Sequence, residues 1–168
     1  MPADNGFPGL NHIQSAQYFM RQALNEAKKA YARGEAPIGA VIVNDGKIVG
    51  RGHNEKEAKR DSTLHAEMTS IRKASRRLGT WRLNSCDMYV TLEPCTMCAG
   101  AILQARIRRL YIGTADPKAG AVGSVLNVLQ VDAFNHKVDV ICGILEEDCS
   151  MILKDFFREL RNKKAENP

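Results

Sequence analysis

Four residues in two short stretches could do hydrolytic chemistry around a metal ion. They are His65 and Glu67 in His65-Ala66-Glu67, and Cys95 and Cys98 in Pro94-Cys95-Thr96-Met97-Cys98. One imidazole and two thiolates form a donor set that suits zinc. A structural zinc is closed by four protein ligands, whereas a catalytic one keeps a position for water. Zinc also brings the pKa of bound water towards neutrality. A carboxylate beside that water need not be a ligand, and Glu67 is then placed to take its proton and deliver it to a leaving group. A fourth ligand from Cys86 would instead close the site and make it structural.

Such a site needs two helix N-termini aimed at one point. Cys95 and Cys98 are three residues apart, so both thiolates face one way in a helical first turn. His65 and Glu67 are separated by about 200° around a helix. They cannot share a lateral face, but both can reach a metal lying over the helix end. The positive ends of two helix dipoles then sit beside two thiolates.

The surrounding pattern supplies these helices. An apolar stripe through Ile13, Ala16, Phe19, Met20, Ala23, Leu24, Ala27 and Tyr31 predicts a helix over 11–33, capped by Asn11 and closed by Gly34. Strands are predicted at 38–43 and 47–52, joined as a hairpin by Asn44-Asp45-Gly46. Leu64, Met68, Ile71, Ser75 and Leu78 trace a second helix ending at Gly79. A strand at 87–92 leads into a third helix that Pro94 opens and that runs to about residue 105. A short strand at 110–113, a loop at 114–124, a strand at 138–142 and a helix at 145–163 complete the chain. A hairpin followed by strands alternating with helices gives an α/β protein, with one mixed sheet of five strands covered on both faces.

The chain has 168 residues, expected to form one domain over 1–168 with a flexible segment at 1–10. Apolar residues make up 44% and charged residues 26%, which excludes a disordered or fibrous class. No run approaches the roughly 20 apolar residues of a membrane helix. Residues 1–10 lack the basic-then-apolar pattern of a secretory signal, so a cytoplasmic location with no membrane partner is expected. Five unevenly spaced cysteines argue against a disulfide framework, and Cys86, Cys142 and Cys149 are expected to be semi-buried thiols. The net charge of +5 suits a polyanionic partner without establishing one.

At the paired motifs the sequence resembles the cytidine deaminase-like superfamily, which is recognised by H-x-E followed by P-C-x-x-C. Within it, the chain is similar to the bacterial tRNA-specific adenosine deaminases from about Phe19 to Arg158. Stretches carrying the likeness include 35–41, Gly52-His53-Asn54, 89–95, 115–120, Asn135-His136 and 155–158. The resemblance implies a three-layer α/β/α fold, a homodimer with one zinc per subunit, and conversion of adenosine to inosine at the wobble position of a tRNA anticodon. It places Asn54 and the backbone near Ala66 on the flipped base, and Asp116 and Lys118 on the ribose-phosphate of the anticodon stem-loop. Asn135 and His136 fall where the family holds flanking nucleotides, and Phe156, Phe157 and Arg158 on a last helix that closes over the splayed loop. At adjacent helical positions the two phenylalanines cannot both face one surface. The chain departs from the family at Asp61-Ser62-Thr63-Leu64, where many members have Pro and then a small residue, so Leu64 either narrows the pocket or packs beneath it.

Two other functions use the same residues. One is a deaminase of a free base or nucleoside, such as guanine or cytosine/cytidine. The other is a non-catalytic zinc-containing RNA-binding subunit, which would have no need of Glu67 beside an open metal. Gly120-Ala121-Val122-Gly123 lacks the form of a phosphate-binding loop, and Arg72-Lys73-Arg76-Arg77 and Arg106-Arg108-Arg109 read as solvated faces.

Overall fold

Ala40 and Ile42 turn to one side of a strand, Val41 and Val43 to the other, and all four are fully buried. Their strand must therefore be covered on both faces. The computed structural model, which describes residues 9–166, shows this arrangement. In chain order the elements are α1 (His12–Ala32), β1 (Gly39–Asn44), β2 (Lys47–His53), α2 (Lys56–Lys59), α3 (Ala66–Leu78), β3 (Cys86–Leu92), α4 (Thr96–Gln104), β4 (Arg109–Thr114), β5 (Asp139–Cys142) and α5 (Glu146–Glu166).

The sheet order is β2-β1-β3-β4-β5. β1 pairs antiparallel with β2 and β3, while β3–β4 and β4–β5 are parallel. Asp45 and Gly46 both have positive φ, 48° and 69°, as a tight two-residue hairpin turn requires. One core joins Ala40, Ile42, Met88, Val90, Leu110 and Ile112 to α3 and α4. The other joins Val41, Val43, Tyr89 and Tyr111 to α1 and Cys149 of α5. The fold is thus α/β/α in three layers.

Local chemistry explains the placement of the helices that matter here. Asn11 and Gln14 close a reciprocal capping box at the start of α1. On β2, a Cβ at Gly52 would run into the carbonyl of Ala66, so glycine lets the first turn of α3 lie directly on the strand. That contact brings Asn54, just beyond β2, next to His65.

Three features depart from the expected pattern. α2 is an additional single turn, whose leading N–H groups are taken by the distant Glu35 carboxylate: Ala58 N at 2.7 Å and Glu57 N at 3.3 Å. α4 begins at Thr96 with Cys95 as its N-cap, leaving Pro94 outside the helix. The long connection after β4 contains a 3-10 turn at Val128–Gln130 that buries Leu129 against the α4 side of the sheet. Most of the 1–10 segment expected to be flexible lies outside the described residues. Among the described residues, no helix is long and apolar enough to cross a membrane.

Candidate metal centre and substrate groove

His65 is the N-cap of α3 and Cys95 the N-cap of α4, both with extended backbone and neither with a side-chain capping bond. Their side chains are therefore available to each other. His65 Nδ1 lies 3.5 Å from Cys98 Sγ and 3.7 Å from Cys95 Sγ. Tetrahedral zinc with Zn–S near 2.3 Å and Zn–N of 2.0–2.1 Å sets N···S at about 3.6 Å. The three donor atoms fit that geometry, lying within 4.8 Å of one another. Cys86 does not join them. It is the first residue of β3, the strand whose far end leads to Cys95, and burial pushes its thiol up to about 11.

The charges in the cluster are interdependent. Hydrogen bonding from Cys98 and His65 brings Cys95 down to about 3, while the Cys95 interaction and burial push Cys98 up. The Cys95 interaction also raises His65. One thiolate is thus held between a histidine and a second sulfur that share protons with it, and a bound metal ion would take the place of those protons.

Glu67, in the first turn of α3, is 3% exposed, and burial pushes its carboxyl up to about 7. Its Oε2 is buried without a hydrogen-bond partner among the described residues, and so is Oδ1 of Asn54, which is 4% exposed. Unmatched buried acceptors are costly and uncommon. Here two occur beside one candidate metal centre.

Asn54 and His65 open into a groove of about 750 Å³. Asp116, Pro117 and Lys118 form one wall, and a stripe of α5 forms another through Ser150, Leu153, Lys154, Phe157 and Arg161. Lys56 of α2 also lines it, so Lys56, Lys118, Lys154 and Arg161 surround the space with four cations. Asp116 spends one carboxylate oxygen on its own loop, accepting from Lys118 N at 3.0 Å and Ala119 N at 3.2 Å.

The residues named from sequence divide accordingly. His65, Cys95, Cys98, Glu67, Ala66 and Asn54 come together, and Asp116, Lys118 and Phe157 line the adjoining groove. The others do not line it. Asn135 is exposed on the β4–β5 connection, and its neighbour His136 is held through Nε2 by the Ile107 carbonyl at 2.7 Å. Phe156 is buried edge-on to Tyr31, and Arg158 is exposed and paired with Asp155 at 2.6 Å. Lys154 and Arg161 were legible as the positions three before and four after Phe157 on one helical face. Lys56 was not, because α2 depends on Glu35.

The family described as MafB19-like deaminase matches residues 14–161. A tRNA-specific adenosine deaminase of Bacillus subtilis (strain 168) is 50% identical over 148 residues, 88% of this chain and 92% of that protein. The chain belongs to the family of tRNA-specific adenosine deaminases. A second member, from Aquifex aeolicus (strain VF5), is 46% identical over 146 residues, 87% of this chain and 96% of its own length. A solved structure from work on A-to-I editing by tRNA:A34 deaminases at the wobble position of transfer RNA superposes with a TM-score of 0.78. It is 49% identical and covers 81% of this chain and 99% of its own. The fold is the cytidine deaminase-like one, and the chain is a deaminase, a hydrolase of C–N bonds. Deaminases of this fold use zinc, and the His65–Cys95–Cys98 cluster could hold it.

Proposed function

We propose that the chain hydrolyses adenosine to inosine at the wobble position of a tRNA anticodon, with His65, Cys95 and Cys98 holding one zinc per subunit. Zinc, when bound, supplies the Lewis acidity that makes water nucleophilic near neutral pH. The observation that carries the substrate class is the ring of Lys56, Lys118, Lys154 and Arg161 around a groove that begins at His65. A lone base needs no such ring, whereas an anticodon loop brings a phosphate with every nucleotide. An adenine must be unpaired or flipped to be reached, and anticodon loops present such bases.

The roles of the side chains follow from their positions. Glu67 takes a proton from the attacking water on its unmatched oxygen and passes it to the ring nitrogen. It then takes the second proton, from the hydroxyl formed at the attacked carbon, and hands it to the amino group, which leaves as ammonia. Asn54 Oδ1 accepts from the flipped base, and the backbone at Ala66 holds its other edge. Phe157 offers an exposed aromatic face for an unstacked base. The β4–β5 connection exposes Val125, Leu126, Val131 and Phe134, a surface that a second copy of the chain covers in a homodimer. Asn135 and His136 lie on that same connection, and they reach RNA through the assembled pair. Such a single-domain enzyme acts in the cytoplasm, where tRNA is modified.

The test offers the zinc-loaded protein an anticodon stem-loop with adenosine at the wobble position, beside free adenosine, guanine and cytidine. Inosine should form on the stem-loop and far more slowly on the small molecules. Binding should weaken with salt by a log–log slope of roughly −0.7 per phosphate contact. Fast, salt-insensitive turnover of free guanine or cytidine without reaction on the stem-loop would move the function to small molecules and leave the metal centre as assigned.

A further inference from the structure

Glu93 ends the run that leads into Pro94 and Cys95, and its carboxylate is buried, with the residue 5% exposed. Both of its oxygens are in use. Oε2 accepts from the backbone N–H of Asp116 at 2.9 Å and from the hydroxyl of Ser124. Oε1 accepts from the backbone N–H groups of Val122 and Ser124, each at 3.0 Å. The main chain completes the fastening, because Glu93 N donates to Thr114 O at 2.9 Å and Ala121 N donates to Pro94 O at 2.8 Å. Gly120 permits this approach. A Cβ there would run into the Glu93 carboxyl group and lie 2.6 Å from the Asp116 carbonyl. The segment 114–124 is thus wrapped around one carboxylate as a chain wraps an anion.

The outer side of that segment is the groove wall at Asp116, Pro117 and Lys118. The inner side is tied to a residue two positions from Cys95. We propose that Glu93 is a positioning residue: it sets the Asp116–Lys118 wall relative to the metal centre, so that Lys118 meets the RNA backbone when the target base enters. The assignment rests on the groove being an RNA site, and none of the metal-binding or proton-transfer roles falls to Glu93. Glu35 does the corresponding service for α2 and Lys56 with two N–H bonds, but Glu93 holds more of the wall and holds it next to Cys95.

Glu93→Gln tests this. Glutamine keeps the shape but turns one acceptor into an NH₂ group facing N–H donors. The zinc-loaded variant should retain its metal, while amide hydrogen exchange quickens at Asp116, Val122 and Ser124. On the stem-loop, KM should rise about tenfold, as expected for loss of one charge-assisted contact. kcat should change much less. The salt slope should shrink by about 0.7, the value of one phosphate contact. Lys118→Ala should shrink it equally, and combining the two substitutions should shrink it no further, because both remove the same contact. Glu93→Asp, which keeps the charge, should recover part of the slope.

Loss of stability with unchanged exchange at those three amides, KM and slope overturns the assignment, and so does a double variant whose slope loss is the sum of the two. Should Glu93→Gln fail to fold, Ser124→Ala removes a single donor and must move exchange and KM in the same direction. A wild-type chain with no salt-dependent stem-loop binding overturns the RNA reading of the groove and this assignment with it. A wild type that binds while Glu93→Gln matches its slope overturns this assignment alone.

Discussion

Glu67 and Glu93 are both buried glutamates at the edge of the same centre, and they differ in what their oxygens touch. Glu67 at the start of α3 leaves Oε2 without a partner among the described residues, and burial carries its carboxyl up to about 7. Burial would also raise Glu93, but the Ser124 hydroxyl and the N–H groups of Asp116, Ser124 and Val122 outweigh it and hold the carboxyl below its ordinary value. A carboxylate fully supplied with donors stays charged and makes a rigid joint. One that is deeply buried and short of donors takes up a proton more readily, which suits a group that must exchange protons. Residue type and solvent exposure are nearly the same, but Glu67 lies deeper in the protein; depth and donor supply together separate chemistry from architecture.

The sharpest way to break that contrast is to make the same change at both sites. Glu67→Gln should lower kcat by about 10²–10⁴-fold, with zinc content and stem-loop affinity nearly unchanged. Glu93→Gln should act mainly on KM. Single-turnover rates with metal analysis on both variants decide it, and a Glu67→Gln variant that keeps most of its rate would show that the unmatched oxygen is not the shuttle.

Asn54 provides the next test, since its Oδ1 is the other unmatched acceptor beside the metal centre. If its role is to hold the flipped base, Asn54→Ala should cost about 1–3 kcal/mol of transition-state binding, roughly 5–150-fold in kcat/KM. The folded protein should lose little stability, because no intramolecular bond to that oxygen is broken. A large drop in Tm with unaltered kcat/KM would place Asn54 among the structural residues instead.

Gly120 tests the architectural side. Gly120→Ala forces a methyl group against the Glu93 carboxylate and should destabilise the protein by about 1–3 kcal/mol, measured by urea unfolding. It should also loosen the 114–124 segment in hydrogen exchange. Gly123, with nothing near its Cβ position, serves as a control for crowding, although its φ of 136° makes alanine strained there for a different reason.

The contrast also shows how much could be read from sequence. Helix stripes, the Asn44-Asp45-Gly46 turn and the ligand spacing are local, and the five strands and the His65–Cys95–Cys98 cluster follow them closely. Donor counts are not local. Glu93 was visible within a motif, but its partners lie 23 to 31 positions away. α2 exists because Glu35 reaches across 22 and 23 positions to its N–H groups, so no pattern within 56–59 could announce it. The last helix lies between these cases. Its groove face through Lys154, Phe157 and Arg161 obeys helical period, and Phe156 was separable from Phe157 on that ground alone.

A third buried carboxylate, Glu26 of α1, asks whether donor count also governs response to pH away from the metal. It is 3% exposed, with Lys29 Nζ at 2.7 Å from Oε1 and His53 Nδ1 at 3.1 Å from Oε2. Burial alone would raise its pKa, yet the Lys29 and His53 interactions bring it below the ordinary 4.5. A carboxyl more acidic in the folded than in the unfolded chain stabilises the fold above the unfolded value and loses that contribution as pH falls through the folded one. Glu26→Gln should therefore cost about 1–3 kcal/mol near pH 7, towards the lower end because Lys29 is largely solvent-exposed. The gap between wild type and variant should narrow below about pH 4.5 as the wild-type carboxylate takes up its proton. Urea unfolding at pH 7, 5 and 3.5 measures this directly. A gap that stays constant to the lowest pH would mean that Glu26 acts through its packing against α1 and β2, and that matching donors to a buried carboxylate matters here for shape rather than for charge.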